Sequence, residues 1–567
     1  MVKNILRLQF ENVFPDEEPK ELLEYLKEMS SFMLLNTIGF STTEHGNNFD
    51  TIFSNPDIRT DVIDRVIKYS KENDIKDKPE LFSKEGTLRL SEIILSKKTT
   101  LLENNNNDDR DVDELSFLKA LLIMNKDVNY KEKYMSSDDE FERLVDFGIT
   151  ITFSHSDLGI YNNEDFEYRK LMYCTLERMD YLLKFLQSKN EYKFLLDGLT
   201  NYFNVENVQK LRVQTKYLFA KMLELKMNNA YRWKVEEPES KLFLNSLVST
   251  EDDEIVPDFT IIRNNPLYVI EEDVYSIVNP FMVMDKFSKS LKFVLKNIYN
   301  DHHGITNPKD GRFLQFYTKD YTEEFLVKNI LDQIFDKPYF IKRNSDSTIQ
   351  NEPDYYVRHN KRIYLFEVKD IMVRGDIKIS GNIDKINDTL KKKFLHDGNR
   401  DVGVGQLVNH IVKIIEQNFD FDEFVNENKN FKIYPILLVS DRIFEVLGIN
   451  YRLNNWFIEL VKERLGDKYN SSLIRNLTFI DIDTLIYWLP FFKLRDNNFR
   501  DVLDDHSRKM NTNRRTFHPN PVKAKEIASR NLSIRLSPIS NRNIGQEPPI
   551  KLLIEKFREI VNDDLTD

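Results

Sequence analysis

The stretch that decides the fold reads EPDYYVRHNKRIYLFEVKD, residues 352–370. Side chains of an extended strand alternate between its two faces. Ile363, Leu365, Glu367 and Lys369 therefore share one face, and Tyr364, Phe366 and Val368 share the other. Both faces begin apolar, which places the strand inside a sheet. The pattern then ends in a carboxylate and an ammonium group. Burying these two unpaired costs several kcal/mol, so the strand end must open into a cleft or take up a cation. A tight turn through His359, Asn360 and Lys361 runs the preceding segment antiparallel, and the register brings Asp354 level with Glu367 and Lys369. Two carboxylates at one level form a hard oxygen site suited to Mg²⁺ or Mn²⁺. A lysine beside them can orient an attacking water and offset phosphate charge.

Outward from this hairpin the periodicity predicts a helix over 321–335, strands over 339–343, 354–359 and 362–368, an amphipathic helix over 405–417 and an apolar strand over 433–440. Pro-Asp, a spacer and Glu-Val-Lys, set in this helix–strand–strand–strand–helix–strand order, resemble the PD-(D/E)xK nuclease superfamily with its restriction-endonuclease-like fold. The resemblance covers residues 312–445, roughly a quarter of the chain. It implies Asp354 and Glu367 as metal ligands, the Val368 carbonyl assisting, and Lys369 as the catalytic lysine. It also implies a glutamate on the first helix: Glu324 is the best placed, with Glu323 beside it as the alternative. Many members carry a helix reading Gln, apolar, any, any, Tyr. Here the segment is Gln406-Leu-Val-Asn-His410, so Gln406 matches and His410 stands where Tyr is usual.

The string alone is weak, because Pro-Asp also occurs at 15–16, 56–57 and 257–258. Asp57 is even followed by Asp74-Ile75-Lys76, but its surroundings have helical spacing and lack the strands. The copy at 353–369 has the hairpin, the upstream helix and the downstream Gln helix.

The chain carries a net charge of −12, which argues against a wholly basic nucleic-acid coat but not against local patches. Residues 351–415 hold twelve Lys/Arg against nine Asp/Glu, a net of +3. Within them, Arg358, Arg374, Lys378, Lys391, Lys392 and Lys393 are candidates for phosphate contact. Residues 506–543 hold nine Lys/Arg and one Glu, a net of +8, and add Arg514 and Arg515 as candidates. His302 and His303 lack metal-ligand spacing and read as surface residues. No Walker A loop, dinucleotide glycine fingerprint or zinc pattern occurs.

Cys174 is the one cysteine, in an apolar helical setting, so it reads as core and suits a reducing cytosol. The N-terminus lacks a secretory h-region, and the longest apolar runs fall far below the ~18 residues of a membrane span. A cytoplasmic protein without a membrane partner is expected.

The fold class expected is α+β and multidomain. Residues 1–250 form a mostly helical domain, 251–311 a small β-meander with helix and linker, 312–500 the nuclease-like domain, and 501–567 a basic polar tail with a terminal helix. The expected function is metal-dependent hydrolysis of phosphodiester bonds, with Mg²⁺ or Mn²⁺ as cofactor. Family habit favours DNA over RNA and suggests prokaryotic defence or restriction. Self-association and a protein partner or trigger for the helical half are left open. Two other classes compete: a catalytically inactive nuclease-fold protein that binds nucleic acid or acts as a scaffold, and a helical interaction module with a chance motif.

Overall fold

The computed structural model describes residues 7–43, 53–75, 79–97, 100–101, 109–131, 140–159, 165–249, 253–307, 309–344, 352–511, 539, 544 and 554–555. Helices dominate the first half, as the spacing predicts, with Arg110–Lys131, Asp165–Gln187 and Val208–Met227 over the periodic segments. The decoy Pro-Asp motif lies in the helix Pro56–Glu72, where Asn55 caps the start and Pro56 fills the first turn.

Strands Arg232–Lys234 (β1), Leu267–Glu271 (β2) and Val274–Ile277 (β3) form a small antiparallel sheet ordered β1-β3-β2. The expected meander is therefore a hairpin completed by an upstream strand. Its first segment, Thr260–Asn264, is helical instead, entered from Phe259 in the left-handed region at φ 58°. The helix expected between 251 and 311 is two, Pro280–Lys286 and Leu291–His302.

The second sheet holds the site. Ile341–Asn344 (β4), Tyr355–His359 (β5) and Arg362–Lys369 (β6) run antiparallel in sequence. A short ribbon, His396–Asp397 (β7) with Arg400–Asp401 (β8), precedes the helix Val404–Ile415. Lys432–Val439 (β9) then joins β6 in parallel, and Thr478–Asp481 (β10) joins β9 in parallel, giving a mixed sheet ordered β10-β9-β6-β5-β4. The β5–β6 turn closes over Asn360 and Lys361, with Asn360 taking the left-handed position at φ 54°, a conformation Asn tolerates. Pro435 sits inside central β9 without breaking it, because the β10 ladder begins only at Ile436.

The two faces of this sheet pack into separate cores. One contains Tyr355, Tyr364, Phe366 and Val368 with Leu182, Leu183, Ile330 and Leu331. The other contains Tyr356, Ile363 and Leu365 with Leu407, Ile411, Val145 and Ile149. Helices from the first half, Glu140–Phe153 and Asp165–Gln187, join opposite cores by packing on the helices that flank the sheet, so apolar packing runs straight across residue 250. Cys174 is buried in the first of these cores. A third core gathers Leu8 to Met124 with Tyr268 and Met282. Among the described residues no helix is long and apolar enough to cross a membrane. From the tail, Asn498–Met510 is helical, and Ile539 adds a bridge to Ile480 and is buried with Ile544. Arg514, Arg515 and most of the helix expected near 550–561 lie outside the described residues.

Candidate active site

The β5–β6 pairing matches Tyr355 with Phe366, so the residue before it, Asp354, stands opposite Glu367. Alternation puts Asp354 on the face of Tyr356, which is also the face of Glu367 and Lys369. Asp354 Oδ2 accepts from the Val368 backbone N–H at 2.7 Å, which holds its carboxyl beside that of Glu367. Glu367 is 0% exposed, whereas Asp354 and Lys369 are half-buried, so the site opens through the latter two. Lys369 Nζ lies 3.4 Å from Glu367 Oε2.

Electrostatics follow from three carboxylates around one cation. Burial and then the neighbouring Glu367 push the Asp354 carboxyl up to about 7. Burial raises Glu367 too, against the pull of Lys369. Burial also pulls the Lys369 ammonium down, but Glu367, Asp354 and Glu323 outweigh it and hold the group above its ordinary value. Lys369 therefore stays charged at neutral pH.

Glu323, rather than the favoured Glu324, responds most clearly to this field. Burial, then Asp354, raise its carboxyl to about 8, with Lys369 opposing and Glu367 adding to the rise. The reason lies in the helix. Tyr317–Val327 winds as a π-helix, whose hydrogen bonds span one residue more than those of an α-helix, between α-helical turns at Arg312–Phe316 and Lys328–Ile334. An α-helical count cannot place a side chain correctly across such a stretch. The sequence reading also passed over Asp370. Its carboxylate takes Lys292 at 2.8 Å, Thr322 Oγ1 at 3.1 Å and Ser440 Oγ at 2.5 Å. It thereby ties the π-helix and the end of β9 to the end of β6, and so holds Glu323 against Lys369. The available signal was its position, directly after Glu-Val-Lys.

The helix Val404–Ile415 supplies the remaining groups. Gln406 points back on its own helix: its Oε1 accepts from the Gly403 N–H at 2.8 Å. Gly403 has φ 52°, and a Cβ there would meet the Phe394 carbonyl at 3.1 Å and Lys369 Cε at 3.4 Å. Gln406 thus fixes a turn that walls the lysine stem, and it reaches the site only through that turn. His410 is 2% exposed, with Nε2 3.3 Å from Glu367 Oε1. Burial drives its pKa down to about 4, so the ring is neutral. The approach lacks hydrogen-bond alignment: Glu367 Oε1 and both His410 ring nitrogens are buried without a hydrogen-bond partner.

An orphaned, fully buried carboxylate oxygen beside a second carboxylate is the arrangement a hard cation resolves. Among the described residues no three His, Cys, Asp or Glu side chains group to hold a metal unaided. The donor set is therefore sparse, which suits Mg²⁺: it is commonly held by one or two carboxylates and keeps several waters.

Several expected phosphate contacts are corrected. Arg358 is spent internally, on Asp422 at 2.5 Å and over the Phe424 ring at 4.2 Å. Lys378 is 1% exposed, clamped between Asp157 and Asp258 at 2.7 Å each. Arg374 is exposed but pairs with Asp376 at 2.8 Å. Lys391 and Lys392 are exposed on the helix Ile383–Phe394, with Lys393 half-buried beside them. Lys391 lies 5.5 Å over Trp456.

No family model, curated protein or solved structure matches the chain.

Proposed function

We propose that the chain is a metal-dependent nuclease of the PD-(D/E)xK kind, acting on DNA in preference to RNA. The observation that carries this reading is the meeting of Asp354 and Glu367 across the β5–β6 pair, with Glu367 Oε1 buried and unbonded and Lys369 alongside. Asp354 and Glu367, with the Val368 carbonyl, are the groups that would hold Mg²⁺ or Mn²⁺. A bound cation would supply charge for the phosphoryl oxygens and acidify a water.

The chain's own residues do the rest. Lys369, kept protonated, offsets phosphate charge and orients the attacking water. Glu323, titrating near 8, can hold or release a proton at the mouth of the site at working pH. Asp370 and Gln406 position the lysine and the π-helix. Lys391 and Lys392 are the exposed adjacent cations left among the expected phosphate contacts, with Lys393 beside them.

The test incubates plasmid, linear single-stranded DNA and RNA with the protein in Mg²⁺, Mn²⁺ or EDTA. Cleavage in metal alone, lost by about 10³-fold in Asp354→Ala and Lys369→Ala, is expected, a loss of about 4 kcal/mol in transition-state stabilisation. Equal cutting by both variants would overturn the assignment. Metal-dependent binding without cleavage would favour the scaffold reading.

A further inference from the structure

A cavity of about 560 Å³ lies in the helical half and shares no lining residue with the carboxylate site. Its volume falls within the range of small-molecule pockets, and it sits where the helices Ser31–Phe40, Lys84–Ser96 and Arg110–Lys131 meet the small sheet. The walls are strongly aromatic: Phe40, Phe82, Phe117, Tyr231 and Phe281 all face it. The polar part is one-sided. Lys84, Arg110 and Arg232 line it against a single carboxylate, Glu114, and Glu114 is already committed to Arg110 at 2.9 Å and to the Ser54 N–H at 2.8 Å. Lys84 and Arg232 make no ion pair among the described residues. The hydroxyls do not balance them. Thr37, Thr87 and Ser91 donate to carbonyls of their own helices at 2.6, 3.0 and 2.8 Å, and Asn36 is spent on Phe32 and Tyr231.

Net positive lining in a chain of net charge −12, around a flat aromatic interior, selects for one ligand chemistry. Aromatic faces stack on planar rings, and uncommitted guanidinium and ammonium groups bind oxyanions. We propose that this cavity is a binding site for a small planar aromatic anion, of which a nucleoside phosphate is one source and an aromatic acid another. The site is independent of the nuclease reading, because no carboxylate-site residue takes part.

The probe is 8-anilinonaphthalene-1-sulfonate, an aromatic anion, titrated by fluorescence into the full chain. One equivalent should bind the native protein. Two variants remove the site by different routes. Lys84→Glu with Arg232→Glu reverses two exposed cations, and Thr87→Trp fills the cavity from a half-buried helix position; each should weaken binding about tenfold or more. Unchanged melting midpoints identify a local effect, and Lys84→Gln with Arg232→Gln serves as the milder pair should the reversal unfold the chain. Displacement by adenosine monophosphate but not inorganic phosphate assigns a nucleoside phosphate, and displacement by benzoate alone assigns an aromatic acid. Absence of binding to native protein, or equal binding to folded variants of both kinds, would overturn the proposal. Since the readout is fluorescence, a protein inert toward nucleic acid would leave this result standing.

Discussion

Four aspartates, Asp157 among them, meet four cations, whereas three carboxylates, Asp354 among them, meet one lysine. In the first cluster Asp157 pairs with Arg263 at 2.9 Å and Lys378 at 2.7 Å, Asp441 with Lys289 at 2.8 Å, Asp285 with Arg442 at 3.0 Å, and Asp258 with Lys378 at 2.7 Å. Despite complete burial, the surrounding Arg263, Lys378, Lys289 and Arg442 hold the Asp157 carboxyl well below the usual carboxylate range. At the end of β6 the balance is reversed, and burial with like charge drives the Asp354 carboxyl up to about 7. Burial is common to both clusters; stoichiometry separates them. A neutralised cluster is cement between segments distant in sequence, while an excess of carboxylate calls for a ligand of opposite sign.

The sharpest way to break this contrast is to remove one member from each cluster. Asp157→Ala leaves buried cations uncompensated and should lose about 3–5 kcal/mol in urea unfolding. Asp354→Asn should lose no stability. If the two substitutions cost the same, the distinction between cement and site fails.

Next in size is the effect of metal. Mg²⁺ or Mn²⁺ at a hundred times its dissociation constant should stabilise the native protein by about 2.7 kcal/mol in thermal melts, and should leave the Asp354→Asn, Glu367→Gln double variant where it was. Equal stabilisation of both would remove the carboxylate pair from consideration.

Acidity gives a smaller, signed effect. The Asp354 carboxyl moves from 3.8 to about 7 on folding, so its contribution to stability is complete below about pH 4 and is lost as pH rises through about 7. In EDTA at pH 8, Asp354→Asn should therefore be more stable than the native chain, on the order of 2 kcal/mol, and the gain should vanish near pH 4. A constant difference across that range would contradict the crowded-carboxylate account.

The smallest effect belongs to Gln406. Gln406→Ala removes the contact to the Gly403 N–H and should cost about 1 kcal/mol of stability. Because Gly403 walls the Lys369 stem, cleavage should also fall, while metal stabilisation in melts stays as in the native chain.

The two clusters also differ in how far they could be read from sequence. The hairpin was legible because a period of two, apolar on both faces and closed by Asn360, leaves little choice of register. Asp354 and Glu367 came with it. The Asp157 cluster was invisible: Lys378 looked like a phosphate contact because Asp157 and Asp258 lie far away in the chain, and Arg358 likewise hides Asp422. Glu323 was weighed only as the alternative because π-helical winding alters the face that an α-helical count assigns. β10 was missed because four residues, Thr478–Asp481, run directly into the helix Ile482–Leu494. Phe259–Asn264 was misread because a short run rich in isoleucine satisfies strand and helix alike.

The covering of the mixed sheet carries one more lesson. The upstream helices form an outer shell: Glu140–Phe153 packs on Ile383–Phe394 and Ile449–Leu465, and Asp165–Gln187 packs on Ile482–Leu494 and the π-helix. A fragment beginning at residue 312 would keep Phe335, Tyr355 and Phe499 around Phe366 but would bare the outward faces of the helices that flank the sheet. Such a piece would clump on expression, and the half that carries the carboxylate pair would need its upstream helices merely to remain dissolved.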